Sequence, residues 1–376
     1  MILKTEELQQ VCKNLFEAVD TSSQQLVSET LELQVVDKEL RLSVTNREYF
    51  VTVRIPLDDR VEEFTTVVDA RLFLQLISKV TTKEINLTIK DKVLVIKANG
   101  TYKLPMIYDG DEMVKLSRID LGETVTTKFN IGSDILGSIL LYNTKELTKN
   151  IVQSVVQKLY YLDQDGCITF TTGACVNSFK LASPVSILLD PKIVKLFKLF
   201  GENCEVSFTL SYSDNNGTVL PIVRFENGNT TLTAILSPNT TLISKVPVAA
   251  IRGRANKEYP FSTVLSRQSV IDSITRLMLF SRKDLNNSVA KLKFTKDSVT
   301  FSDVAGENEE VLSYENVSLP NIEEYSCYID LKDLKLTLDG YTDMYVNISF
   351  GDNAAVVITK ENAKTSIKNV IPQIRI

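Results

Sequence analysis

An apolar pair, an aspartate and then an amphipathic helix occur together three times in this chain, at Val68–Asp69, Leu189–Asp190 and Ile329–Asp330. The aspartates at 69 and 190 lie 121 positions apart, and those at 190 and 330 lie 140 apart. Each suits a helix N-cap, because its carboxylate can accept from amides of the first turn that have no partner within the helix. The same order of strands and helices surrounds each one. In the first copy, Leu8, Val11, Leu15 and Val19 recur at three- and four-residue steps and predict a helix over Thr5–Asp20. Leu31, Leu33 and Val35 then alternate, as do Leu40, Leu42 and Val44 beyond a turn at Asp37–Lys38, and a further turn falls at Asn46–Arg47. A strand ending at Asp69 feeds a helix carrying Leu72, Phe73, Leu76 and Ile77. More strands follow, with turns at Lys90–Asp91 and Asn99–Gly100.

The second copy opens with a strand and a helix capped near Ser133 and continues with a hairpin at Asp165–Gly166. Its second helix has Pro191 at the first position and Gly201 at the end, and Asn227–Gly228 makes its last turn. The third has a helix capped near Ser266, a hairpin at Lys296–Asp297, a helix from Asp330 to Gly340 and a final hairpin at Asp352–Asn353. Three copies of an α+β unit of about 120 residues, each with two helices packed on antiparallel sheets, account for the length. The boundaries are expected at 1–123, 124–250 and 251–376.

The chemistry is narrowed mainly by what is missing. The chain has no histidine, which removes histidine bases, Ser-His triads and histidine-held metals. Its five cysteines, Cys12, Cys167, Cys175, Cys204 and Cys327, are odd in number and scattered, with no C-x-x-C. They read as buried free thiols of a reducing compartment. Neither G-x-x-x-x-G-K-[ST] nor G-x-G-x-x-G occurs after a strand. Asp58–Asp59 and Glu62–Glu63 fall in a polar loop, and Asp109–Gly110–Asp111–Glu112 lacks the alternating ligands of a calcium loop. Ser78–Lys79 lacks the spacing of lysine-assisted serine catalysis. No catalytic residue, metal or cofactor is expected. The start MILKTEELQQ has no apolar signal core and no stretch approaches a membrane span, so a cytoplasmic location is expected.

Charge is distributed unevenly. The net value is −5, from 42 basic and 47 acidic residues, which argues against a nonspecific cationic coat. Yet Lys192, Lys195 and Lys198 stripe one predicted helix, and Lys332 and Lys335 stripe its counterpart in the third copy. Arg267 and Arg276 lie on another helix, Lys145 and Lys149 follow the first helix of copy two, and Lys79 and Lys83 end a helix of copy one. Taken singly, each reads as a solvated face. Taken as a set on an acidic chain, they point to one surface that meets phosphates.

Several stretches carry a resemblance: VVDARLFLQLISKV with INLTIKDKVLVIKANGTYKLP, then FTTG, SRQSVIDSITRLMLFSR, VAKLKFTKDSVTFSD and the ending VIPQIRI. Together they resemble the bacterial-type DNA sliding clamp, the β subunit of DNA polymerase III, with a bacterial and a phage or mobile-element origin both open. The resemblance implies three repeated clamp domains and a head-to-tail homodimeric ring that encircles double-stranded DNA without reading its sequence. It further implies a non-catalytic processivity factor that tethers the replicative polymerase, the clamp loader and other DNA-processing partners through short linear peptides, away from any membrane. Carried over residue by residue, the subunit boundary would use Tyr102 and Leu104 against the neighbour's Leu279 and Phe280, supported by Leu72, Phe73 and Ile77. The peptide pocket would be built from Val155, Thr171, Gly173, Ala174, Val248 and Ile251, closed by Ile371, Pro372, Ile374, Arg375 and Ile376.

The departures cluster in that pocket. The family's D-G-H-R strand end reads TGACVN, its F-P-D-Y-R-R segment is replaced by VPVAAIRG, and the ending is one residue longer than V-x-P-x-R-φ. A pocket tuned to its own partners, rather than to the common bacterial clamp-binding pentapeptide, is therefore expected. The alternative is a clamp-fold scaffold without a DNA-encircling role, for which basic residues would be dispersed. An enzyme of another class is opposed by the missing histidines and phosphate motifs.

Overall fold

The aspartate caps at 69 and 330 are visible as hydrogen bonds. Asp69 accepts from the Leu72 amide at 2.6 Å, starting the helix Ala70–Ser78, and Asp330 accepts from the Lys332 amide at 2.7 Å, starting Leu331–Asp339. Ser266 does the same for Arg267–Leu277, taking the Ser269 amide at 3.4 Å. The helix after Asp190 begins at Pro191. This computed structural model describes residues 1–19, 26–58, 61–149, 154–215, 218–237, 240–259, 261–280, 288–318, 324–351, 356–361 and 364–376. The expected hairpin at Asp352–Asn353, together with Asp20 and Asp59, lies outside the described residues. The chain folds into two units, 1–136 with 192–238 and 137–191 with 239–376.

In the first unit, eight antiparallel strands form one sheet. They run in the order Thr124–Gly132, Glu205–Asn215, Thr218–Glu226, Thr230–Ile235, Tyr49–Pro56, Glu39–Thr45, Thr30–Val36 and Phe64–Asp69. The join between sequence copies is the pairing of Thr230–Ile235 with Tyr49–Pro56, with Leu232 opposite Val51. Asp37 and Lys38 both adopt positive φ, 51° and 60°, the two-residue turn whose twist suits a tight hairpin. A second sheet runs Ile2–Lys4, Glu84–Lys90, Val93–Lys97 and Thr101–Pro105, leaving Thr101–Pro105 at an edge. The helices Thr5–Leu15 and Ala70–Ser78 pack on one another and bury Leu8, Cys12, Leu15, Phe73, Leu74 and Ile77. The first helix is shorter than its periodicity predicts and tightens into a 3₁₀ turn at Phe16–Ala18. The helix after Asp190 likewise turns 3₁₀ over Leu196–Phe200 and ends at Gly201, whose φ of 68° favours a residue without Cβ. Its Phe197 ring packs 5.0 Å from Phe225, and Phe208 meets Phe225 edge-on at 5.2 Å.

The second unit holds a nine-stranded sheet. Its order is Ser186–Leu189, Tyr160–Asp163, Gly166–Phe170, Ala174–Ser178, Ser366–Ile371, Val356–Glu361, Tyr345–Phe350, Phe261–Ser266 and Asn316–Ser318. Here the join between copies is Ala174–Ser178 against Ser366–Ile371, with Ala174 opposite Val370. A four-stranded sheet runs Glu309–Ser313, Ser298–Asp303, Val289–Thr295 and Glu324–Asp330, with Glu309–Ser313 at an edge. Stacked rings fill the core between these layers, Phe294 on Phe350 at 4.0 Å and Tyr325 on Phe350 at 4.9 Å. The helix that opens at Ser133–Ser138 passes through a π turn at Ile139–Asn143 before Thr144–Leu147. The π turn brings the fully buried Asn143 amide to the Cys167 carbonyl and the Thr169 hydroxyl, both at 3.3 Å. Among the described residues no helix is long and apolar enough to cross a membrane.

Candidate functional site

The residues that bring chemistry together are at the turn joining Gly166–Phe170 to Ala174–Ser178. The Thr171 amide donates to the Gly173 carbonyl at 3.1 Å, closing a tight reversal. A Cβ on Gly173 would lie 2.4 Å from the Val370 carbonyl oxygen, so the neighbouring strand leaves no room for any other residue there. Opposite the turn stands the helix Val248–Ala255, which carries the expected pocket residues Val248 and Ile251 but has no counterpart among the helices expected from sequence. Arg252 anchors it by donating to Asp163 Oδ1 at 2.5 Å. The cleft between turn and helix has a volume of about 280 Å³ and is lined by Phe170, Ala174, Pro247, Ile251, Val370 and Pro372, among others. Arg254 is the charged side chain in that lining. Beneath it, burial pushes the Cys175 thiol well above its ordinary pKa, with the negative charge of Glu146 adding to the effect. An apolar cleft with a polar turn at one end can take apolar side chains of an extended segment while hydrogen-bonding its backbone.

Of the eleven residues expected at the pocket, Thr171, Gly173, Ala174, Ile251 and Pro372 line this cleft. Val248 packs half-buried on the apolar cluster below, and Val155 is exposed outside the lining. Ile371 faces the other way, into the core of stacked rings, because successive residues of a strand point to opposite faces. Ile374, Arg375 and Ile376 border a different cavity of about 760 Å³, next to Leu277 and Phe280. The Ile374 amide donates to the Tyr328 carbonyl at 2.8 Å, which draws these last residues along the Glu324–Asp330 strand.

The expected phosphate-facing residues divide in the same manner. Lys79, Lys83, Lys195 and Lys332 are exposed, and Lys145 is half-buried. Others are already engaged: Lys192 with Glu48 at 3.3 Å, Lys198 with Glu17 at 3.2 Å, and Arg276 with Glu310 at 2.6 Å. Lys335 donates to Thr275 Oγ1 at 3.2 Å, and Arg267 to the Asp343 carbonyl at 3.1 Å. Lys149 departs from the expectation outright. Only 3 % exposed, it is turned inward onto Glu146 at 2.8 Å and is not a surface cation.

At the expected subunit boundary, Leu72, Leu279 and Phe280 are 52 %, 78 % and 58 % exposed, an unusual outlay of large apolar side chains. Tyr102 is half-buried on its edge strand. Phe73, Ile77 and Leu104 are buried in the core of the first unit and are not exposed to a neighbour.

Residues 1–112 match the family described as DNA polymerase III beta subunit, N-terminal domain. Across the whole chain, the sliding clamp of Pseudomonas aeruginosa bound to griselimycin superposes with a TM-score of 0.78, covering 100 % of this chain and 99 % of that one at 16 % identity. This chain has the bacterial-type sliding-clamp fold. The clamp of Borrelia burgdorferi, in complex with a natural product, gives a TM-score of 0.77 at 14 % identity, covering 100 % of this chain and 99 % of its own. In sequence, the beta sliding clamp of Helicobacter pylori is 21 % identical over 322 residues, 81 % of this chain and 78 % of that protein. The clamp fold is thus retained where few side chains are, and both long sheets of this clamp-fold chain join strands from different sequence copies.

Proposed function

We propose that the protein is a non-catalytic DNA polymerase processivity factor that acts as a cytoplasmic sliding clamp. Two copies would close head to tail around duplex DNA, with three clamp domains per copy at 1–123, 124–250 and 251–376. The observation that carries this reading is the clamp fold over the full chain combined with two open sheet edges, Thr101–Pro105 and Glu309–Ser313. Unpaired strand edges are templates for pairing with another chain. The two edge strands also carry opposite charge: Lys103 is exposed on the first and Glu309 on the second. Pairing one edge with the other in a second copy is heterologous, and with a suitable rotation closes a ring.

Within such a ring the exposed Lys79, Lys83, Lys195 and Lys332 would meet phosphates loosely, which holds DNA without fixing register. The cleft at Thr171, Gly173, Ala174, Ile251 and Pro372 would receive a linear peptide of a polymerase or loader. Small-angle scattering over a concentration series tests the assembly: the expected particle has twice the 42.1 kDa chain mass and a central hole. Subunits reassembled from dilute solution with DNA should stay on a closed circle through a high-salt column and leave it once the circle is cut. Equal retention on circular and linear DNA would refute encirclement and favour a clamp-fold scaffold.

A further inference from the structure

Lys149 is buried in a protein with ample surface for a lysine, and what surrounds it is specific. Its ammonium stands 2.8 Å from Glu146 Oε2 and 4.0 Å from Asp333 Oδ2. The other Glu146 oxygen, Oε1, accepts from the Thr171 hydroxyl at 2.8 Å and from the Thr171 amide at 3.2 Å. Asp333 Oδ2 accepts from the Thr172 hydroxyl at 2.8 Å. The two carboxylates facing the lysine therefore hold consecutive residues of the cleft turn. On the far side Gln157 Nε2 donates to the Thr171 carbonyl at 3.1 Å. A Cβ on Gly173 would come within 3.2 Å of the ammonium, so the charge also packs directly against the turn's backbone.

We propose that Lys149 is a positioning residue for the cleft: as the cation between Glu146 and Asp333, it holds the Thr171–Gly173 turn in the shape that receives a peptide. This rests on the reading of the cleft as a peptide pocket. Without the lysine, the two carboxylates lose the cation that stands between them, and Glu146 is left without its counter-charge in an almost fully buried place. Either carboxylate that swings outward to relieve this takes its threonine along. Buried ion pairs contribute little to stability relative to apolar packing, and their best-attested value is in fixing one arrangement over its competitors. Here the arrangement fixed is a turn whose hydroxyl and amide groups would otherwise have several solvated alternatives.

Amide hydrogen exchange on the intact protein tests this without a ligand. In Lys149→Met, similar in length and uncharged, exchange at residues 171–174 should accelerate about tenfold or more while the other strands of the nine-stranded sheet keep their protection. Lys149→Arg, which keeps the charge, should restore the slow rates. Wild-type exchange in Lys149→Met, or equally fast exchange in Lys149→Arg, would overturn the proposal. If Lys149→Met does not fold, Asp333→Asn decides: it keeps an acceptor for Thr172 but drops one charge, so a rise confined to the turn supports the clamp, and no change refutes it. In parallel, the clamp-binding pentapeptide is titrated calorimetrically. A wild type that binds it and a Lys149→Met protein that binds about tenfold more weakly or worse would connect the turn to capture. A wild type that does not bind the pentapeptide counts against the cleft accepting that motif, and the exchange pattern still decides whether Lys149 sets the turn.

Discussion

Replacing Leu279 and Phe280 together by serine should turn the assembled particle into single subunits while leaving each subunit as stable as before. In the isolated chain these side chains are 78 % and 58 % exposed, so their loss removes little folded-state packing. Full burial of a leucine or phenylalanine is worth roughly 1.5–3 kcal/mol, and covering only the exposed fractions gives roughly 2–4 kcal/mol per subunit boundary. A closed ring of two copies has two such boundaries, so the dissociation constant should rise by a factor on the order of 10³ to 10⁶. Sedimentation velocity from nanomolar to high micromolar protein reads this directly, with thermal unfolding of the dissociated variant as the control. A variant whose mass profile overlays the wild type would mean that these residues are not at the boundary. A wild type of 42.1 kDa at every concentration would mean that there is no boundary to weaken. A large fall in melting temperature would show that the pair supports the fold instead.

Three further outcomes are expected. Gly166→Ala should be strongly destabilising by calorimetry, because Gly166 sits at φ 133° and a Cβ there would fall 2.1 Å from the Asn177 carbonyl oxygen; a melting temperature equal to wild type would contradict that geometry. In the native protein, a thiol reagent should modify Cys204 at most, since Cys12, Cys167, Cys175 and Cys327 are buried and burial raises their pKa values, that of Cys327 to about 12. Rapid modification of two or more thiols before unfolding would refute this. The Arg276 hydrogen bonds hold the Glu310 carboxyl below its ordinary pKa. Its small stabilising contribution is therefore complete above the unfolded value of about 4.3 and is lost as the pH falls through the lower folded value. Glu310→Gln should accordingly lose less stability than wild type over that acid range, and parallel acid limbs would sink the assignment.

Local chemistry was readable from the sequence and long-range partnership was not. The caps at Asp69 and Asp330 depend on amides two or three residues away, and the Asp37–Lys38 turn depends on its own φ values, so each is written in a few adjacent letters. The helix Val248–Ala255 escaped because its apolar residues are diluted by alanine, glycine and arginine, leaving no clear apolar stripe. Lys149 departs from its expected surface position for a different reason. Its i,i+3 partner Glu146 is close in sequence, but the burial that turns the lysine inward comes from packing, and Asp333 lies 161 residues beyond the Thr172 it holds. The cleft is half legible: strand alternation turns Ile371 and Pro372 to opposite faces, so the expectation that both close one wall fails at Ile371.

The strand Ser366–Ile371 closes against Ala174–Ser178, and Val370 and Pro372 complete the lining of the cleft. During synthesis, the turn at 171–173 leaves the ribosome long before the residues that wall it in. A nascent or prematurely terminated chain, even with its first unit folded, would thus carry an unfinished cleft, open where residues 370 and 372 belong. The order of the chain thus makes the cleft complete only in molecules translated through residue 372.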